Sequence, residues 1–150
     1  PIPHVWLDYN YGRTSRCPAG QDILTGFMSG CIIARWTQLG AGYVGHVGTL
    51  VANPTVNTLV KNTFLGTVGN DVTGFNPAAA WTDSECQAIA NKFKKKPASK
   101  IMALVTNTGA FYSLLMLQLD WTKADEWCVG GIKSVPAMNH AALIIEMNKM

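Results

Sequence analysis

Two residues in this chain have the types and the spacing for thiol chemistry, Cys31 and His46. Cys–His catalysis needs a thiolate nucleophile, an imidazole within hydrogen-bond reach, and a third group that orients the ring. Residues 31–37 and 43–51 are rich in β-branched and aromatic side chains, and Gln38-Leu39-Gly40-Ala41-Gly42 joins them as a hairpin-type connection. A hairpin turning about the Gln38-Leu39 midpoint pairs Cys31 directly with His46. Their β-carbons then stand about 5 Å apart on one face. The glycines at 40 and 42 leave a later turn centre open. The competing reading of Cys31 is a buried structural thiol, because free Cys is among the most buried residue types.

The local context is Thr25-Gly26-Phe27-Met28-Ser29-Gly30-Cys31, followed by Gly45-His46-Val47-Gly48-Thr49. This resembles the Cys–His glutamine deamidases: the catalytic domain of cytotoxic necrotizing factor, Burkholderia lethal factor, and the chemoreceptor deamidase CheD. The toxins of that family carry the nucleophile in a Leu-Ser-Gly-Cys turn, where this chain has Met28 in place of Leu, and their histidine follows on the next strand. Lethal factor and the chemoreceptor deamidase also place a threonine six residues before the cysteine, and Thr25 holds that position here. The chemoreceptor enzyme has Gly-Ser-Cys rather than Ser-Gly-Cys, so the toxin branch matches better. The resemblance spans about residues 25 to 50, a sixth of the chain.

The resemblance implies a protein glutamine deamidase with Cys31 as nucleophile, His46 as base and Thr25 holding the imidazole through its hydroxyl or its carbonyl. Backbone N–H groups of the Ser29-Gly30-Cys31 turn would stabilise the oxyanion, with Gly30 allowing close backbone approach. No metal or cofactor is needed. The expected partner is a protein substrate, such as a host GTPase or a translation factor, met by a secreted bacterial toxin or effector in the target-cell cytosol. Two alternatives stay open: another Cys–His thiol enzyme (a transglutaminase or peptidase), and a non-enzymatic β-rich binding module with Cys31 in its core.

Other motifs carry less. Gly40-Ala41-Gly42-Tyr43-Val44-Gly45 matches the dinucleotide-binding fingerprint G-x-G-x-x-G, which needs a buried strand before it, a helix opening on it and an acidic residue about 20 positions on. Arg35-Trp36-Thr37-Gln38 precedes it, position 60 is Val60, and no Asp or Glu lies between Asp22 and Asp71. The glycines read instead as serving the hairpin turn. His4 reads as a surface residue and His140 as a loop residue. Cys86 falls on a helical apolar stripe and reads as core. Cys17, beside Arg16, has a positive neighbour that lowers a thiol pKa, which gives it a reactive alternative. None of the four cysteines forms a CxxC pair, so structural zinc is not expected.

These residues need a scaffold, and the rest of the chain supplies one. A short strand is expected within residues 4–9 of a turn-rich opening. Asn53-Pro54 opens a helix, with Val56, Leu59, Val60 and Phe64 at helical spacing and Gly66 closing it. A second helix begins at Thr82 or Asp83. Cys86, Ile89, Ala90 and Phe93 form its stripe, Lys92, Lys94, Lys95 and Lys96 its last turn, and Pro97 ends it. Residues 100–106, 111–119, 126–135 and 141–147 read as strands. The expected fold is α+β, a mixed β-sheet or β-sandwich with two or so flanking helices, forming one domain over residues 1–150.

Composition sets the outer limits. At 150 residues, 48% hydrophobic and 14% charged, the chain has the make-up of a globular domain that folds without disulfide or metal staples. The net charge of +3 comes without a basic stripe interleaved with aromatics, so no nucleic-acid partner is expected. No apolar run approaches the ~18 residues of a spanning helix, and no membrane partner is expected. The lysines between 92 and 100 read as a solvated helix end, with a docking surface for an acidic protein or membrane face as the alternative. Trp6, Trp36, Trp81, Trp121 and Trp127 are scattered and read as core and rim. The Pro-Ile-Pro-His start lacks a signal-peptide layout. A monomeric effector delivered by specialised secretion, or a domain cut from a larger toxin, is the expectation.

Overall fold

The computed structural model describes residues 3–49, 52–93, 95, 97–120, 122–123 and 126–149. Among these, nine strands form two sheets. In chain order the strands are β1 (Val5–Leu7), β2 (Thr14–Pro18), β3 (Ile23–Met28), β4 (Ile32–Gln38), β5 (Ala41–Val47), β6 (Thr73–Phe75), β7 (Ala98–Val105), β8 (Phe111–Gln118) and β9 (Cys128–Val135). Helices α1 (Pro54–Thr67), α2 (Asp83–Ala90) and α3 (His140–Asn148) accompany them, with a single 3-10 turn at Pro77–Ala80. One sheet runs β1-β3-β7-β8-β9 and the other β2-β5-β4-β6. Only β1 and β3 pair in parallel, so the five-stranded sheet is mixed and the fold is α+β.

The alternation of β4 explains the layering. Ile33 points into a core shared with Leu7, Ile23, Val44, Phe75, Ala103, Val105 and Phe111, drawn from both sheets. Ile32, Ala34 and Trp36 point the other way and pack against Val60 and Phe64 of α1 and Leu143 and Met147 of α3. A strand buried on both faces reads as a nearly continuous apolar run, which is what Ile32-Ile33-Ala34 begins. The four-stranded sheet is therefore the middle of three layers, and the five-stranded sheet closes one side of it.

The helices are set by local chemistry. The Asn53 side chain accepts from the Val56 N–H and caps α1, with Pro54 at its start. Its buried face is Asn57, Val60 and Phe64, while Leu59 is exposed, so a polar residue takes the place expected for an apolar one. Thr82 caps α2 by accepting from the Glu85 N–H. This helix ends earlier than Pro97 would require: Lys92 and Phe93 donate to Ile89 and Ala90 in tight three-residue turns, so Lys92 and Lys95 lie beyond it. Lys94 and Lys96 are outside the described residues, as are Pro1, Val51 and Trp121.

One element differs in kind. Residues 141–147, expected as a strand, form most of α3. The Asn139 side chain accepts from the Ala142 N–H, and Leu143 and Met147, one turn apart, bury completely. The β-branched pair Ile144-Ile145 suggests a strand, yet the cap and the four-residue spacing prevail. Strands β2, β3 and β6 lie in segments without a strong strand signal. The glycine-rich motif at 40–45 is a hairpin turn running into β5, with no helix.

Candidate active site

The β4–β5 hairpin turns at Leu39-Gly40, both with positive φ (51° and 79°), the requirement of a two-residue type I′ turn. Gly40 adopts this freely; Leu39 does so with its side chain fully in solvent. This centre lies one residue later than the Gln38-Leu39 midpoint. His46 therefore pairs with Ile33, not with Cys31, and Cys31 sits just before β4. The register differs by two residues, and a two-residue slip keeps every side chain on its face. Cys31 and His46 are thus on the same side of the sheet as diagonal neighbours, a relation that spans about 7–8 Å between Cα atoms.

The imidazole is held from the opposite sheet. Thr25, in the middle of β3, places Oγ1 2.7 Å from His46 Nδ1 and 2.7 Å from the Leu7 carbonyl oxygen on β1. A hydroxyl has one proton and a carbonyl only accepts, so the Thr25 proton goes to Leu7. The bond to His46 must then run from Nδ1–H to Oγ1. That choice leaves Nε2 without a proton. Nε2 is buried and makes no hydrogen bond, and His46 and Thr25 are both 0% exposed. Burial pushes the His46 pKa down to about 4, so the ring is neutral at neutral pH.

Cys31 is 5% exposed, and its Sγ lies 3.9 Å from both the carbonyl oxygen and Oγ1 of Thr49. Burial raises its pKa, with the two Thr49 contacts partly opposing the rise. The resting pair is a neutral thiol beside a neutral imidazole, with the sulfur turned to Thr49. Tyr9 links the two halves: its ring packs on His46 at 5.3 Å between centroids, and its hydroxyl donates to the same Thr49 carbonyl at 2.9 Å. Burial and the nearby Cys31 sulfur both raise the Tyr9 pKa.

Cys31 opens onto a cleft of about 970 Å³. Ser99 and Ile101 of β7 and Leu115 of β8, where Ile101 and Leu115 pair across the two strands, line it from the five-stranded sheet. Ser29 and Gly30, the bend between β3 and β4, line it next to Cys31. Asn57 and Asn76 line it as well, as do Trp81, Asp83 and Cys86 around the start of α2. The Ser113 hydroxyl pins Trp81 and the turn before it, donating to the Pro77 carbonyl at 2.7 Å and accepting from the Trp81 indole N–H at 2.9 Å. Lys133 reinforces it, stacking on Trp81, donating to the Ala80 carbonyl and pairing with Glu85.

The structure therefore brings Thr25, Ser29, Gly30, Cys31 and His46 to one end of the sandwich. Thr49, quoted with the histidine motif but given no role there, belongs to the same region, as do Tyr9, Asn57, Asn76 and Ser113, which carry no motif that sequence reading could use. The remaining candidates lie elsewhere or differ from expectation. All four cysteines are free. Cys86 lines the cleft instead of the core, and burial raises the Cys17 pKa, against the lowering expected from Arg16. His4 is exposed and His140 is the first residue of α3 rather than a loop residue. Trp36 is core, whereas Trp6 is exposed and Trp127 packs on Phe27. No described helix is long and apolar enough to cross a membrane.

Comparison of this chain with protein-family models, with curated proteins and with solved structures gives no match.

Proposed function

We propose that the protein is a glutamine deamidase that acts on a target protein through Cys31 and His46. The observation that carries this reading is the fixed tautomer of His46: Thr25 Oγ1 accepts from Nδ1–H and leaves Nε2 as a buried, unpartnered base on the same sheet face as Cys31. A buried, unpartnered ring nitrogen has a proton acceptor's role open to it. The sequence resemblance of residues 25–50 to Cys–His deamidases supports the same assignment.

The chemistry follows from these groups. Rotation about χ1 of Cys31 moves Sγ from Thr49 toward Nε2, a change between staggered wells. Nε2 accepts the thiol proton as sulfur attacks the carboxamide carbon of a glutamine side chain. The oxygen that becomes negative is met by backbone N–H groups of the Ser29-Gly30-Cys31 turn. The C–N bond then breaks, the nitrogen leaves as ammonia with the proton from His46, and a thioester remains. Water attacks the thioester, gives a proton to His46 and releases glutamate, and the proton returns to sulfur. Because the resting pKa values favour the neutral pair, proton transfer and attack are coupled, with no standing thiolate. We assign the setting to a bacterial toxin or effector that modifies a host protein, such as a GTPase or translation factor, in the target-cell cytosol.

The test is peptide mass spectrometry of host-cell and bacterial lysates treated with the wild type or with Cys31→Ala. The expected result is conversion of one glutamine to glutamate with the wild type alone. A cleaved peptide would replace deamidation with peptidase action, and an amine adduct would replace it with transglutamination. No Cys31-dependent change in either lysate would overturn the reading.

A further inference from the structure

We propose that Phe27 seats a large apolar side chain next to the glutamine of the target protein, so that the cleft selects glutamines with an apolar neighbour. This rests on the deamidase reading and deepens it. Phe27 and Cys31 line the same cleft, on either side of the Ser29-Gly30 bend. Its volume of about 970 Å³ is that of a pocket for a drug-sized ligand, far more than one glutamine side chain fills. A glutamine that reaches Cys31 therefore brings neighbouring residues of its own chain into the cleft.

The strand register explains how an aromatic ring comes to stand there. β3 pairs with β7 through Gly26 and Met102 and next through Met28 and Ile101, so Phe27 is an extra residue at a bulge. A bulge leaves its residue out of the ladder and re-aims the side chain, commonly beside an active site. Gly26 lets the two strands lie close at this point, since a β-carbon there would come within 2.7 Å of Met102 Cγ. The Phe27 ring is 39% exposed, yet it is held in place by Trp127, 4.6 Å away between centroids. A large apolar ring left exposed in the lining of a cleft is a contact surface for another apolar group. Ile101, Leu115 and Trp81 extend the apolar lining. Asp83 and Lys100 are the only charged side chains among the described lining residues. Their signs are opposite, so charge gives no net preference and apolar contact decides what binds.

Two alkylating reagents measure this effect without a known substrate. Iodoacetamide carries the carboxamide alone, and N-benzyl iodoacetamide adds a phenyl ring that stands in for the apolar neighbour. Each forms a thioether with a cysteine and releases iodide and the thiol proton. The measurement is the ratio of their second-order rate constants at Cys31, benzyl over plain, read by peptide mass spectrometry on the full chain at about pH 8.5, where a thiol is partly ionised. Thiol pKa cancels in the ratio. The bulk of the ring works against the benzyl reagent at a buried sulfur, so a preference for it opposes the steric trend. The expected ratio exceeds that of free cysteine about tenfold, and Phe27→Ala returns it to within about twofold of free cysteine. Phe27→Gln gives the same result should the alanine variant not fold. A reactive Cys31 without a preference for the benzyl reagent, or with one that these variants leave unchanged, would overturn the role of Phe27 and leave the Cys31–His46 pair standing. A Cys31 that reacts with neither reagent in the native protein would overturn the pair and this inference together.

Discussion

Thr25 and His46 meet across the gap between the two sheets, Oγ1 to Nδ1 at 2.7 Å, and this one bond decides which nitrogen of the ring can act as a base. The two residues are 21 positions apart and belong to strands that never pair with each other. The Leu7 carbonyl completes the arrangement by accepting the Thr25 hydroxyl's hydrogen bond. A water-excluded imidazole needs such an anchor, since either tautomer is otherwise accessible.

Thr25→Val should remove the anchor at little change in volume. The Leu7 carbonyl and the Nδ1–H would both lose their partner, at about 1–3 kcal/mol for each buried group. Release of ammonia from a glutaminyl peptide should fall about a hundredfold, with Thr25→Ser restoring most of it. Nitrogen-15 spectra of the imidazole check the cause: Nε2 should appear unprotonated in the wild type and in Thr25→Ser, and the tautomers should mix in Thr25→Val.

The low pKa of His46 sets a pH dependence of stability. The unfolded chain takes up a proton on this residue near its ordinary value of about 6.5, the folded chain only near about 4. Between those values the unfolded state binds more protons, so stability falls as pH drops across the window and levels off below it. The loss amounts to about 3 kcal/mol. Urea unfolding across this range should show the slope, and His46→Asn should remove that component while the contribution of the carboxylates persists.

Ser113 is expected to govern the placement of Trp81, which lines the same cleft as Cys31. Ser113→Ala leaves the Pro77 carbonyl and the Trp81 indole N–H without their shared hydroxyl, at about 1–3 kcal/mol. The Trp81 indole proton should then exchange with solvent faster by at least tenfold, measured by NMR, while the Thr25–His46 bond stays intact. An unchanged exchange rate would show that Lys133 and Glu85 alone fix Trp81.

Two glycines should respond in opposite directions. Gly48 exchanges hydrogen bonds with the loop that precedes β2, its N–H donating to Arg13 and its carbonyl accepting from Gly12. A β-carbon there would overlap the Asn10 carbonyl oxygen and come within 2.5 Å of that of Arg13. Gly48→Ala should cost about 3 kcal/mol or more, lowering the melting temperature sharply. Gly66, near the end of α1, has nothing within 4 Å of the added carbon, and Gly66→Ala should stabilise by about 0.5 kcal/mol.

Much of the frame is legible in the residues. Strands β4, β5, β7, β8 and β9 and helices α1 and α2 follow from β-branched runs, caps and turn residues, with ends displaced by a few positions. The exceptions have physical causes. Gly40 marks the hairpin, but Leu39 accepts a positive φ that leucine ordinarily avoids, and that moves the register by two. In α3 the β-branched Ile144 and Ile145 suggest a strand, while burial of Leu143 and Met147 against the four-stranded sheet favours a helix. Strand β6 is three residues long, too short for any alternation to register.

The sequence by itself determined the α+β class and the hairpin of the strand after Cys31 with the strand that carries His46, though not its register. Hydrophobic period and turn chemistry are local properties, and the resemblance of residues 25–50 added Thr25 as a candidate for orienting the ring. Tertiary structure alone decided the Nδ1–H tautomer, the contact of Cys31 with Thr49 and the position of Asn76 at the cleft. Each of these depends on distances between strands of different sheets or on which polar atoms are cut off from water. No local pattern encodes such quantities, because they arise only when the two sheets close on each other and exclude solvent.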